Sequence, residues 1–359
     1  MVSHMDDEAA CQLQADLRAS LRRAHRSKRP ILTHLNADTS WLISLPCPEH
    51  AIPLAGRSRY NILIDPWLKG SQEDVAGWFS KQWHSVESSV PTIAELEDAL
   101  REAERLDRDE NDVVSDFDTD SSAPREGSCV DAVVVSHEFT DHCHQATLLE
   151  LDGQVPVFAT KKAAQLIQSW KHFDQVIEIG TFSTSTDWRT TSLAPMPGWI
   201  GISRLVTGFD MLYFHSAVVI CVQMSETSDH AEAVIYTPHG VQASTVSVLT
   251  EATPRLEALA FLHGLHDISI GWTSQLNLGV VNALKAQKIL GAKYWVGTHD
   301  EEKPSSGVIA PLLKRKILSV SEALASLSGT HTSTTQSMME SAEDLGCVEL
   351  RNGESLLLE

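Results

Sequence analysis

Ser136-His137-Glu138-Phe139-Thr140-Asp141-His142-Cys143-His144 follows directly on the apolar run Ala132-Val133-Val134-Val135. Four consecutive apolar residues, three of them β-branched, read as a buried strand. Three histidines and an aspartate therefore gather within eight residues at a strand end. Imidazole and carboxylate groups together suit zinc or iron. Taken alone, the stretch reads either as a metal-binding loop or as a polar surface turn.

Working outward, the chain alternates short apolar strands with helical segments. Strands are expected at Asn61-Ile62-Leu63-Ile64-Asp65, at Val155 to Ala159, at Val218 to Val222, at Ala233 to Tyr236 and at Lys293 to Gly297. Helices are expected from Ala146, over Lys161 to Trp170 and over 277–290. Such interspersed elements suit a layered α/β protein.

Residues 1–30 are expected to form a peripheral helical extension whose basic face is solvated, and 31–328 the main domain. Within it, 92–128 hold 13 acids and four bases. Its first part, Thr92 to Leu106, has helical periodicity; with few apolar residues beyond Leu106, the segment reads as a partly disordered acidic insertion. Residues 329–359 read as a Ser/Thr-rich linker followed by a terminal hairpin.

The nine-residue stretch resembles the metallo-β-lactamase superfamily motif His-x-His-x-Asp-His, carried here by His137, Phe139, Asp141 and His142. The likeness extends over most of residues 31–300 and is nearest to the lactonase-like branch and its fungal relatives. Asp65, after Ile62-Leu63-Ile64, matches the aspartate that holds the family's ligand loop. Met196-Pro197-Gly198-Trp199 matches Pro-Gly-His, Ile235 to Gly240 matches a strand ending in Gly-Asp, and Val296-Gly297-Thr298-His299 matches a strand ending in His.

The resemblance implies a four-layer αββα sandwich with an altered metal motif. One family site would fall on His137, Phe139 and Trp199, and two apolar rings there should prevent metal binding. The other falls on Asp141, His142, His239 and His299, all able to bind a metal. One zinc ion is therefore expected; two histidines and a carboxylate would equally accept iron. His137, freed from ligation, becomes a candidate base, with Asp141 and His239 as further catalytic candidates. His144, His263 and His266 are expected to line the cleft or support the ligands. The turn His34-Leu35-Asn36-Ala37-Asp38-Thr39-Ser40-Trp41 reads either as facing the cleft or as a capped turn beside a core tryptophan.

The resemblance implies a single-metal hydrolase acting on a small ester, lactone or thioester. The alternatives are an inactive binding protein of the same fold and a mononuclear enzyme with non-hydrolytic chemistry. A formal net charge of −20 argues against nucleic acid as a partner. Six scattered cysteines and an N-terminus without signal-peptide order suggest a reducing, cytoplasmic setting, with no membrane partner. The expected partner is a small-molecule substrate.

Overall fold

The computed structural model describes residues 2–49, 51, 57–111, 127–208, 214–225, 229–271, 274–328 and 341–359. Two large sheets face each other. The first has seven strands, in the order Ser355–Leu357, Ile31–His34, Trp41–Pro46, Arg59–Ile64, Ala132–Val135, Val157–Ala159 and Val176–Glu178. The second has six, in the order Cys347–Val348, Tyr294–Gly297, Leu256–His263, Ala231–Thr237, Ser216–Val222 and Ile200–Val206.

Period-two alternation assigns each strand residue to a layer. Ile62, Ile64 and Val134 point between the sheets, where they meet Val218, Ile220, Val234 and Tyr236. Their neighbours Leu63, Val133 and Val135 point the other way, onto the helices Val2–His25, Ile93–Asn111 and Lys161–Ser169. On the second sheet Val219, Cys221, Ile235 and Trp295 likewise face outward, onto Gly279–Leu290 and Val320–Ser328. Both sheets are thus covered on both faces, and the result is the expected αββα sandwich.

The structure departs from two expectations. The N-terminal helix is not merely peripheral, because Leu17 and Leu21 are fully buried in the helix–sheet core. The helical first part of the acidic segment is present as Ile93–Asn111, whose Ile93, Leu96, Leu100 and Ala103 seat it in that core as its periodicity suggests, while residues 112–126 of the insertion and 329–340 of the linker lie outside the described residues. The C-terminal strands do not form a hairpin. Cys347–Val348 pairs in parallel with Tyr294–Gly297, and Ser355–Leu357 pairs antiparallel with Ile31–His34. Each extends an open edge of a different sheet, an arrangement that satisfies more backbone groups than a free hairpin would.

Strand direction positions the site. In the first sheet Arg59–Ile64 and Ala132–Val135 are parallel, and in the second Ala231–Thr237, Leu256–His263 and Tyr294–Gly297 are parallel. Their carboxyl ends deliver Asp65, His137, His239 and His299 to one edge of the sandwich, the end where open α/β sheets bind ligands. Two small sheets wall that edge. One comprises Ser71–Asp74, Ser80–Trp83 and Ser305–Ser306; the other comprises Asp267–Ile270, Ser274–Leu278 and Leu313–Lys316.

Candidate metal centre

Asp65 organises the site from below. It ends its strand in a left-handed conformation, φ 43°. Its buried carboxylate accepts bonds from the Ser136 amide at 2.7 Å, from the Tyr236 hydroxyl at 2.8 Å and from His142 Nδ1 at 2.8 Å. The ligand loop and the second sheet are thereby tied to one oxygen pair, and the His142 ring turns its Nε2 away from Asp65.

The other two rings are held in the same manner. His239 Nδ1 donates to Asn277 Oδ1 at 2.9 Å, and His299 Nδ1 donates to Asp38 Oδ2 at 3.1 Å. The three ring centroids form a near-equilateral triangle with sides of 4.8, 5.0 and 5.1 Å. Asp141 completes the group, with Oδ1 3.6 Å from His142 Nε2 and Oδ2 3.7 Å from His299 Nε2. His299 adopts φ 59°, uncommon for a residue other than glycine. Backbone strain of this kind is found where a side chain must be aimed.

Two groups here could hold a metal ion: His142, His239 and His299, and separately Asp38, Asp141 and His299, with ligand atoms in each within 4.8 Å of one another. The Nε2 atoms of His142 and His239 are buried without a hydrogen-bond partner. An orphaned buried polar atom costs roughly 1–3 kcal/mol, so a cation at this point would satisfy both. The donor set therefore fits a metal.

Electrostatics separates the roles. Burial opposes charge on His142, but Asp141 and Asp65 outweigh it and raise the imidazole to about 9. Burial and the neighbouring His142 and His299 hold His239 well below its ordinary value. Asp38 is held well below the usual carboxylate range by Lys303 and His299, against the effect of burial. Asp74, on the cleft wall, is pushed up to about 6 by burial and by Asp141.

The remaining sequence candidates fall in different places. His137 is buried between aromatic rings, stacked 4.2 Å from Phe139 and 5.3 Å from Phe214. Burial drives its imidazole down to about 3, which makes it a poor base near neutrality. Trp199 is not in the site. It packs edge-on against Tyr60 at 6.1 Å, and the adjacent Ile200 pairs with Val222, whereas the site end of that sheet pairs Ser216 with Val206. Six strand residues, or about 20 Å, separate those two ends. The second aromatic residue beside His137, with Phe139, is instead Phe214, just before the Ser216–Val222 strand.

His263 lies beneath the loop bearing His239, with Nδ1 donating to its neighbour's carbonyl at 2.6 Å and Nε2 accepting from Asn282 at 3.0 Å. His144 caps the short helix Gln145–Leu148. His266 accepts from Arg315 at 2.8 Å, beside the cleft but away from the triangle. In the 34–41 turn, both readings hold in part. Asn36 Oδ1 caps the amides of Asp38 and Ser40, and His34 stacks on Trp41 at 3.9 Å. The Asp38 carboxylate nevertheless reaches the site. Lys303, which the sequence reading did not single out, reaches it too: its ammonium pairs with Asp38 and lies 3.7 Å from Asp141 Oδ2.

Above the cluster is a cleft of about 440 Å³. Asp141, His239, His299 and Lys303 form its polar floor, and Phe139, Phe214, Ile268, Ile270, Leu276 and Leu313 supply apolar wall.

No protein-family model matches the sequence, and no curated protein matches it. Solved structures do match the fold. A possible metal-dependent hydrolase from Veillonella parvula is similar with a TM-score of 0.52 and 13% identity, covering 92% of this chain and 100% of that one. An isothiocyanate hydrolase from Delia radicum gut bacteria is similar with a TM-score of 0.50 and 16% identity, covering 91% and 99%. The metallo-β-lactamase fold protein YhfI from Bacillus subtilis aligns at 0.42 with 12% identity, over 91% and 99%. The chain has the metallo-β-lactamase fold, and its His/Asp cluster sits at the edge where the parallel strands of both sheets end.

Proposed function

We propose that this protein is a metal-dependent hydrolase with a single metal site, acting on a small, largely apolar ester, lactone or thioester. One observation carries the reading: three buried imidazoles, each fixed through Nδ1 by an oxygen acceptor, converge with Asp141 on the floor of a substrate-sized cleft. This is the arrangement by which outer partners orient metal ligands. Two solved structures similar in fold, at TM-scores of 0.52 and 0.50, are described as a possible metal-dependent hydrolase and an isothiocyanate hydrolase, in line with it.

His142, His239, His299 and Asp141 would hold the ion, and three nitrogens with one carboxylate suit zinc or iron. When bound, the metal supplies Lewis acidity and a hydroxide from water at near-neutral pH. The chain's own groups do the rest. Asp65, Asn277 and Asp38 fix the ring tautomers by accepting the Nδ1 protons. Phe139 and Phe214 exclude water from the side where His137 lies, and the apolar walls hold an uncharged substituent against the floor. His137 serves packing in this scheme, because a ring whose pKa burial holds near 3 has little tendency to take up a second proton at neutral pH.

The test is His239→Ala. This variant is expected to stay folded while losing bound metal and at least 100-fold in turnover of an aryl ester. Full activity in a metal-free His239→Ala protein would count decisively against the mechanism.

A further inference from the structure

The two overlapping groups able to hold a cation, His142/His239/His299 and Asp38/Asp141/His299, differ in what already faces them. In the first, Nε2 of His142 and of His239 meets no partner. The second is met by Lys303, whose ammonium is paired with Asp38 Oδ2 and stands 3.7 Å from Asp141 Oδ2. The Lys303 side chain is only 5% exposed, and its ammonium lies 5.3 Å from the centre of the Trp67 ring. A lysine is almost never buried this far unless it is paired, and here its partners are two carboxylates of the cluster itself.

We propose that Lys303 acts as a tethered cation that fills the Asp38–Asp141 end of the cluster, so that the centre takes one divalent ion at its histidine end and no second ion beside it. The proposal rests on the reading of Asp141, His142, His239 and His299 as metal ligands. The physical argument is one of charge and space. Asp38 and Asp141 are both buried, and two buried carboxylates sharing a site require a counter-charge. Lys303 provides it through a covalent tether and is present whatever the metal supply. A second divalent ion would have to displace that ammonium or share Asp141 with it. On the opposite flank Phe139 and Phe214 pack about His137, whose single ring nitrogen, with no oxygen ligand beside it, is too small a donor set to hold a second ion. The centre is thereby bounded on one side by one imidazole between two phenyl rings and on the other by an ammonium.

Without Lys303, the Asp38/Asp141/His299 group becomes an unbalanced oxygen-rich pocket of the kind that takes manganese or zinc. The experiment equilibrates folded wild type, Lys303→Met, Lys303→Gln and Lys303→Arg with excess Mn²⁺ or Zn²⁺. Free ion is removed by gel filtration, metal per chain is read by elemental mass spectrometry, and folding is checked by circular dichroism. Wild type and Lys303→Arg are expected to hold about one ion and the Met and Gln variants about two, the extra ion vanishing when Asp38→Asn is added. Lys303→Gln, whose amide still bonds Asp38, carries the test if the Met variant does not fold. One ion in the folded Gln or Met variant, or two in wild type, overturns the role of Lys303 and leaves the hydrolase reading intact. No ion in wild type overturns the ligand assignment and this proposal together.

Discussion

His142 concentrates the chemistry of the site in one ring. Nδ1 is committed to Asp65, so the proton that titrates at about 9 sits on Nε2, the atom that faces the other two rings. A metal binds only the unprotonated nitrogen and must displace that proton. Apparent metal affinity should therefore climb with pH, by about tenfold per unit from this proton alone, and level off above about 9. Competition titration against a chelator at several pH values measures the slope, and a flat profile between pH 6 and 8 would remove His142 from the ligand set. At this scale the sequence was informative where the candidate ligands sit in a compact motif. Asp141 and His142 are adjacent, and Asp65 and His299 follow apolar runs that announce strand ends. Asp38 was legible only as part of the 34–41 turn that could face the cleft, and Lys303 gave no signal, because each lies in a loop and acquires its role only when the strand ends of two sheets meet.

At the scale of elements, parallel strand ends decide what reaches the cleft. Asp65 bonds the start of the ligand loop through the Ser136 amide, the loop's histidine, and Tyr236 of the opposite sheet. Asp65→Asn replaces one acceptor oxygen with a donor against these groups. Metal affinity is expected to fall 10–100-fold, as for other outer partners of ligand histidines, with thermal stability reduced as well. Unchanged affinity would show that the loop is held by packing instead. The small sheets make a different prediction. Ile270 lies on the cleft wall, so Ile270→Asp should raise KM for apolar esters at least tenfold while metal content stays at the wild-type level. Equal KM values would place the substrate elsewhere. Strand register also explains the Trp199 error. Met196-Pro197-Gly198 matched in letters, but the chain runs on through Ile200–Val206 before turning back, so the residue that reaches the site is Phe214. His263, at a strand end like the candidate ligands, lies beneath the His239 loop, and sequence alone does not separate that supporting place from one on the cleft.

For the whole molecule, a layered α/β protein was legible because both sheets are buried on both faces, which writes continuous apolar runs into the chain; the αββα order came from the motif resemblance. The closing strands at the C-terminus were not, since two or three residues joining separate sheet edges look the same as a hairpin. No helix among the described residues is long and apolar enough to cross a membrane. The central proposal is one metal ion per chain, held by a centre built from both sheets. The most direct measurement is the metal content of the purified, tag-free protein by elemental mass spectrometry, beside Asp141→Ala. About one zinc or iron per chain, with most of it lost in the folded variant, is the predicted result. Protein that remains metal-free after reconstitution, or a variant that holds as much metal as the wild type, would contradict the account.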